Sequence, residues 1–476
     1  MKLEKVEKTF NLIIFGASGD LASLKLFPAI YELALQKRFA KDFKIYGFAR
    51  SQMDDKKFRQ LFADSVKKHT DKKIFNQKIL DELLEHVFYH QGSYDDKTDY
   101  ETLAERLLKT HKNKKICNLA FFAIPPVVFK PVVRNLATVK KKLGCMELIL
   151  EKPFGQDRKS AGELFQFITN HFDKNDLYLI DHYLGKAAVR SILPLRYNNA
   201  ILNLLLKGNA ISNIQISALE KDGVEERIGF FDNVGTIKDM MQSHLLQILA
   251  LLTMSMPVKQ EVHNIRREKG DVLSALRRDP KCGVVLGQYK SYKNQKGVKK
   301  GSKTPTFAAL KFFIDLIEWY EVPIYIRTGK RLSHKHTYIV IEFKKPPYAK
   351  NLDIEANRLI IELYPREKIQ IRLVNDVGKE VPKYSQLISE ESLACMGDNC
   401  LPPYANLILD ALLRRDISFL SIDEILASWH FIDEINNHIR KKKIKVIEYK
   451  EESEGPSQQH ELTRMDNNEW YDVKHL

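Results

Sequence analysis

Cysteine is scarce in this chain of 476 residues. The five present, Cys117, Cys145, Cys282, Cys395 and Cys400, are too few for a disulfide framework, and their odd number points to free thiols in a reducing compartment. Only Cys395 and Cys400 are close in sequence. Their segment, CMGDNC, has no second Cys or His pair at zinc-ligand spacing, so both read as loop thiols and no metal site is expected. Long apolar runs are also missing. The N-terminal residues offer only Leu12 to Phe15 as a continuous apolar run, far short of a signal-peptide core. The stretch Leu245 to Val258 is interrupted by Gln247 and is shorter than the roughly 20 residues a bilayer requires. These absences predict a cytoplasmic protein with no membrane partner. There is no low-complexity tract and no internal repeat, which excludes a disordered chain or a repeat array.

At this length the default expectation is two domains, each with its own core. The formal charge of +15 makes acidic ligands attractive, from phosphorylated metabolites to nucleic acid. The basic residues, however, lie in separate runs such as Lys293 to Lys303 (KNQKGVKKGSK) and Arg440 to Lys445 (RKKKIK). Neither is interleaved with stacking aromatics, so both read as solvated faces and no nucleic-acid partner is expected.

The first third alternates short apolar, β-branched runs with amphipathic stretches, the pattern of βαβ units and a parallel sheet. Candidate strands are Leu12 to Phe15, Lys44 to Phe48, Asn118 to Ala123 and Glu147 to Leu150. Between the first two, Leu26, Ile30, Leu33 and Ala34 recur at helical spacing and predict a helix over Leu21 to Gln36. From about Asp181 the texture changes to long helices and then strand-like alternation at Ile211 to Glu220, Thr337 to Phe343, Arg358 to Leu363 and Lys368 to Leu373. The expected architecture is an α/β dinucleotide-binding domain over residues 1–180, followed by an α+β domain with a large, mostly antiparallel sheet over residues 181–476. The run Lys293 to Pro305 reads as a surface loop of the second domain.

The first strand runs into Gly16-Ala17-Ser18-Gly19-Asp20-Leu21-Ala22 and then a helix. In such a place a tight Gly turn lets backbone N–H groups approach a pyrophosphate at the positive end of the helix dipole. The spelling is GxxGxxA rather than GxGxxG, so by itself the segment reads either as a dinucleotide site or as an ordinary strand-to-helix turn. The second strand ends Gly47-Phe48-Ala49-Arg50-Ser51. Arg50 offers a cationic fork for a 2′-phosphate where an NAD enzyme usually places an acid, which favours NADP. An arginine solvated at a strand end is the alternative.

Further along stand Glu151-Lys152-Pro153-Phe154-Gly155 (EKPFG), Ile180 to Lys186 (IDHYLGK), Asp239 to His244 (DMMQSH) and Tyr325 to Lys335 (YIRTGKRLSHK). With GASGDLA at the start, this ordered series resembles the motifs of the glucose-6-phosphate dehydrogenase family over nearly the whole chain. The resemblance implies a Rossmann-type domain and oxidation of D-glucose 6-phosphate at C1 to the lactone with NADP, opening the oxidative pentose phosphate route. It also implies a homodimer through the large sheet, or a dimer of dimers.

Such a reaction needs a base, an orienter for it, cations for the phosphate and polar groups for the sugar hydroxyls. By the resemblance His244 is the base and Asp181 orients its ring and stabilises the imidazolium. His182, Tyr183 and Lys186, read as the loosely shared side of a helix start, take the 6-phosphate. Glu220 and Asp239 accept from sugar hydroxyls, and Lys330 and Lys335 bind substrate. Lys152, before a proline whose peptide bond is cis in the family, reaches both substrate and cofactor. The cofactor set is Gly16, Ala17, Ser18, Gly19, Asp20, Leu21, Lys25, Arg50 and Lys152.

Some positions depart from the family pattern. Leu179 stands where an Arg precedes IDHYLGK, Ala187 where a Glu follows it, and Glu321 where a Gly is expected after Trp319. Tyr404-Ala405-Asn406 and Gly455 to Asp472 match loosely. These departures bear on substrate affinity, subunit contacts and any C-terminal regulatory cofactor site. Two rival readings stay open: the same chemistry on another sugar phosphate or with NAD, and a catalytically silent basic binding protein.

Overall fold

The computed structural model describes residues 4–112, 116–281, 283–349, 354–376, 384–392 and 400–472. It divides into two compact units. The first comprises Met1–Gly155, Lys159–Lys186 and Cys395–Ile422; the second comprises Gln156–Arg158, Ala187–Ala394 and Asp423–Leu476.

The first unit is built on a sheet of β1 (Phe10–Phe15), β2 (Phe43–Ala49), β3 (Val87–Gln91), β4 (Cys117–Phe122), β5 (Cys145–Glu151) and β6 (Leu177–Ile180), in the order β3-β2-β1-β4-β5-β6. All five pairings are parallel. Every residue of β1 is buried, as expected of a central parallel strand covered on both faces. This order places the topological switch point between β1 and β4, where doubly wound sheets bind their ligands. The predicted helix is present as a π-helical turn over Ala22–Leu26 that continues as the α-helix Phe27–Leu35. Phe27 stacks on Phe62 of the helix Asp55–His69 with ring centroids 4.5 Å apart. The helix Pro403–Leu412 joins the same core through Ala405, Leu407, Ile408 and Ala411, which is why residues 395–422 belong here and not, as a single cut at 180 would have it, with the rest of the C-terminal half.

The thiol expectation needs correcting in this unit. The strands pair Cys117 with Cys145 in register, Cα atoms 4.7 Å apart, and the two sulfurs are joined as a disulfide. Cysteines 28 positions apart in sequence become neighbours because β4 and β5 are adjacent. Cys400 is likewise disulfide-bonded and not a free loop thiol, while Cys282 and Cys395 lie outside the described residues.

The second unit is built on a sheet of ten strands. They are β7 (Ile211–Leu219), β8 (Leu276–Arg278), β9 (Val284–Tyr289), β10 (Phe307–Ile314), β11 (Ile324–Gly329), β12 (His336–Phe343), β13 (Arg358–Tyr364), β14 (Lys368–Asp376), β15 (Tyr384–Ser392) and β16 (Val446–Tyr449). Their order is β15-β14-β13-β12-β7-β11-β10-β9-β16, with β8 pairing β10. The sheet is mostly antiparallel as expected, but β7 with β11 and β9 with β16 are parallel. The chain between β7 and β8 is helical, and Leu246–Thr253 within it is buried on all sides. Glu321, where the family pattern has Gly, sits in the left-handed region at φ 59°, a conformation a glycine adopts without cost. No helix among the described residues is long and apolar enough to cross a membrane.

Candidate active site

In the first unit the chain leaves β1 at Gly16, whose φ of 83° already favours glycine. A Cβ there would lie 2.2 Å from the Ala123 carbonyl oxygen just past β4, so only glycine lets the turn pass this close to the switch point. The turn is closed by Gly16 N–H to Phe48 O at 2.8 Å and Gly19 N–H to Gly16 O at 2.9 Å. Ala17 is buried, whereas Ser18 and Asp20 are exposed and Gly19 and Leu21 half-buried. The bare backbone, strand order and following helical turn fit a dinucleotide pyrophosphate. Lys25 is exposed in the last turn of the π-helical segment.

Arg50 emerges exposed at the end of β2, its guanidinium 5.6 Å from the Tyr94 ring centroid. Among the described residues no carboxylate pairs with it. Ser51 Oγ donates to Ser18 Oγ at 3.1 Å, tying the ends of the first two strands together. A cationic fork without a local anion can take a 2′-phosphate.

The end of β5 carries Glu151 and then Lys152, half-buried, whose peptide bond to Pro153 is cis. Burial pushes the Glu151 carboxyl up to about 7, against a hydrogen bond from Tyr404 and the nearby Lys152 ammonium. One strand over, β6 delivers Asp181, which is 0% exposed. Its Oδ1 accepts the Tyr183 N–H at 2.9 Å. The residues that follow form hydrogen-bonded turns rather than the expected helix start, with Leu184 N–H to Asp181 O at 3.0 Å and Lys186 N–H to Tyr183 O at 3.1 Å; the helix begins only at Ala187. These turns bring His182, Tyr183 and Lys186 together as the sequence required, by a different geometry. The Lys186 ammonium lies 4.0 Å from the Tyr183 ring centroid, and the His182 and Tyr183 rings meet edge to face at 5.0 Å. Leu179, in place of the family's Arg, is buried in β6 and bonds through its carbonyl to Leu420 N–H at 3.0 Å.

Sequence reasoning missed what holds this turn. Tyr404 stacks parallel to His182 at 6.4 Å and donates its hydroxyl to Glu151 Oε1 at 2.9 Å. Asn406 Nδ2 donates to Gly185 O at 3.2 Å, and a Cβ on Gly185 would meet Pro403 O at 2.6 Å. The loosely matched Tyr404-Ala405-Asn406 is therefore the support of IDHYLGK. Nothing local in sequence links segments more than 200 positions apart.

In the second unit, Asp239 and His244 lie on a π-helical stretch, Ile237–Leu245, 6% and 2% exposed. In an α-helix residues five apart diverge by roughly 140°, whereas the i to i+5 hydrogen bonding of a π-helix stacks them on nearly one face. Asp239 Oδ1 pairs with Arg227 at 3.2 Å. Glu220 follows β7 and Lys330 follows β11; because those strands pair Leu219 with Gly329, the two emerge side by side and form an ion pair in which Lys330 is 6% exposed. Lys335 instead bonds the exposed Asp222 at 2.8 Å, which raises the ammonium and lowers the carboxyl from their ordinary values. A pair so open to water contributes little to stability.

Two family models match the chain: "Glucose-6-phosphate dehydrogenase, NAD binding domain" over residues 13–191 and "Glucose-6-phosphate dehydrogenase, C-terminal domain" over residues 193–471. A chloroplastic glucose-6-phosphate 1-dehydrogenase of Arabidopsis thaliana is 34% identical over 489 residues, covering 98% of this chain and 81% of that protein. The glucose-6-phosphate 1-dehydrogenase of Schizosaccharomyces pombe is 34% identical over 466 residues, covering 95% and 92%. A solved glucose-6-phosphate dehydrogenase in complex with its substrate glucose-6-phosphate superposes with a TM-score of 0.89 at 31% identity, covering 99% of this chain and 100% of that one. Matched in this way through both of its units, the chain belongs to the glucose-6-phosphate dehydrogenase family.

Proposed function

We propose that this chain oxidises D-glucose 6-phosphate to 6-phospho-D-glucono-1,5-lactone with NADP as the hydride acceptor. What supports the reading most is that the IDHYLGK turn, with Asp181 buried at its head and Lys186 beside Tyr183, stands in a chain of which 95% or more aligns with curated enzymes of that name.

His244 takes the proton of the C1 hydroxyl, since an imidazole titrates near neutral pH. Asp181 holds the ring and stabilises the imidazolium. The bound nicotinamide accepts the hydride. Lys186 supplies the point charge for the 6-phosphate, and His182 and Tyr183 supply directional donors. Glu220 and Asp239 accept from sugar hydroxyls, with Lys330 and Lys335 completing the substrate contacts and Lys152 reaching substrate and cofactor. Arg50 selects NADP over NAD by pairing with the 2′-phosphate. The backbone of Gly16 to Leu21 and the Lys25 ammonium serve the dinucleotide phosphates.

Mixing the purified chain with glucose 6-phosphate and NADP, and following the near-ultraviolet absorbance of the reduced cofactor, tests the reading. Turnover is expected, with a higher kcat/KM than for NAD or for other sugar phosphates. No reduction with any of these pairs overturns it. On the family resemblance the active form is a homodimer through the large sheet or a dimer of dimers, which light scattering decides. The proposed compartment is the cytoplasm; because curated relatives include chloroplastic enzymes, cell fractionation is the corresponding test.

A further inference from the structure

The two basic runs that sequence reading leaves as solvated faces meet at one cavity of the second unit. Its volume is about 780 Å³. β16 pairs in parallel with β9, Val446 opposite Leu286 and Glu448 opposite Gln288. The run that follows β9 and the run that leads into β16 both contribute to the lining of this cavity. Lys293 and Lys303 come from one, Arg440, Lys443 and Lys445 from the other, and Lys238 from the π-helical stretch. Against these six cations the lining holds a single carboxylate, Glu448, paired with Lys293 at 3.8 Å in the open. Lys303, Lys443 and Lys445 make no ion pair among the described residues.

The floor is apolar, formed by Ile237, Leu286, Ile439, Ile444 and Val446. The loop that presents Lys303 is fixed rather than free. Asp232 accepts from Tyr292 Oη at 3.0 Å, Lys299 N–H at 3.2 Å and Ser302 Oγ at 2.5 Å, and Gln288 Nε2 donates to Thr304 O at 3.0 Å. Basic residues at the end of the helix Ile422–Lys442 complement its dipole, which accounts for Arg440, Lys441 and Lys442. It does not account for Lys443 and Lys445, which lie beyond the helix, nor for Lys303, which comes from the loop before β10.

We propose that this cavity binds an organic polyphosphate of nucleotide type, with the phosphates on the Lys303, Lys443 and Lys445 side and an apolar or aromatic body on the Ile237 and Val446 floor. The volume is that of a small-molecule site, and its concavity suits a compact polyanion better than an extended strand. The inference does not depend on the proposed dehydrogenase reaction.

Calorimetric titration of the full chain with ATP, in the presence of saturating NADP to occupy the dinucleotide turn, should show one site. Lys303→Glu/Lys443→Glu/Lys445→Glu should weaken it by on the order of tenfold or more, with kcat and KM for glucose 6-phosphate unchanged. Lys443→Ala/Lys445→Ala should weaken it less and serves if the triple variant misfolds. Inorganic triphosphate should bind more weakly than ATP, because it leaves the apolar floor bare. No ATP binding under NADP saturation, equal binding by wild type and both variants, or equal affinity for triphosphate and ATP would each overturn the proposal. So would a single-stranded RNA of 20 nucleotides that binds at these lysines more tightly than ATP.

Discussion

Lys330 and Glu220 are joined as an ion pair because β11 and β7 run parallel and end in register, Gly329 opposite Leu219. Both are proposed to touch the sugar, so the pair positions each for the substrate. Lys330→Ala removes a charged donor and leaves Glu220 without its cation. A hydrogen bond to a charged group contributes about 1.5–3 kcal/mol, so KM for glucose 6-phosphate should rise by roughly tenfold or more. Steady-state kinetics give the answer, and an unchanged KM removes Lys330 from the substrate contacts.

His244 is buried on a π-helical turn that stacks it near the face of Asp239. As the proposed base it should contribute on the order of 10² to 10⁴ to kcat. His244→Asn keeps the size and a hydrogen-bonding edge but cannot take up the proton at neutral pH. We expect kcat to fall by that factor with the thermal midpoint retained. A near-normal kcat would remove His244 from the proton path.

Arg50 faces water with no carboxylate partner among the described residues, beside the Tyr94 ring. If it holds the 2′-phosphate, Arg50→Ala should lower kcat/KM for NADP by roughly tenfold to a hundredfold, the worth of a charge-assisted bond, and leave that for NAD nearly unchanged. Equal losses with both cofactors would mean that Arg50 supports the fold of the strand end and does not select the cofactor.

The strands of the first unit are legible in the sequence because parallel strands covered on both faces read as unbroken apolar runs; β1, β2 and β5 extend the expected segments by two or three residues, and β4 is shifted from its segment by one. The Gly16 turn is legible because its φ and its approach to Ala123 leave no other residue possible. What register decides is not legible. Lys330 meets Glu220 at a separation of 110 positions, Tyr404 meets Glu151 at 253, and no local preference encodes either meeting. The π-helical stretch around His244 escapes for another reason: i to i+4 and i to i+5 bonding place similar demands on residue type, so periodicity reads only a helix there. The Cys117–Cys145 pairing is likewise a consequence of which strands lie side by side.

Lys269 and Glu424 form a buried pair at 2.7 Å, 2% and 0% exposed at their side chains, and Lys269 also donates to Gln247 Oε1 at 3.0 Å. Removing one partner strands the other charge away from water. Lys269→Met should destabilise the second unit by about 3–5 kcal/mol, and adding Glu424→Leu should restore much of that loss. A double-mutant cycle on denaturant midpoints measures the coupling. Simple additivity of the two single changes would show that the pair contributes no mutual stabilisation.

Glu151 links stability of the first unit to pH. Its carboxyl is pushed up by burial to about 7, whereas an unfolded chain ionises near 4.3. Below the unfolded value both states hold the proton and no penalty arises. Between the two values the unfolded state ionises first, so folding loses stability as pH rises, and the loss levels off above the folded value at on the order of 3 kcal/mol. Glu151→Gln preserves an acceptor for the Tyr404 hydroxyl, and with it the ring that stacks on His182, while abolishing the titration. Thermal melts across pH 5 to 8 should therefore show the wild-type midpoint falling relative to that of the variant, with the gap opening mostly below pH 7. If the two curves run parallel, Glu151 is already ionised in the folded chain and Tyr404 holds an anion there.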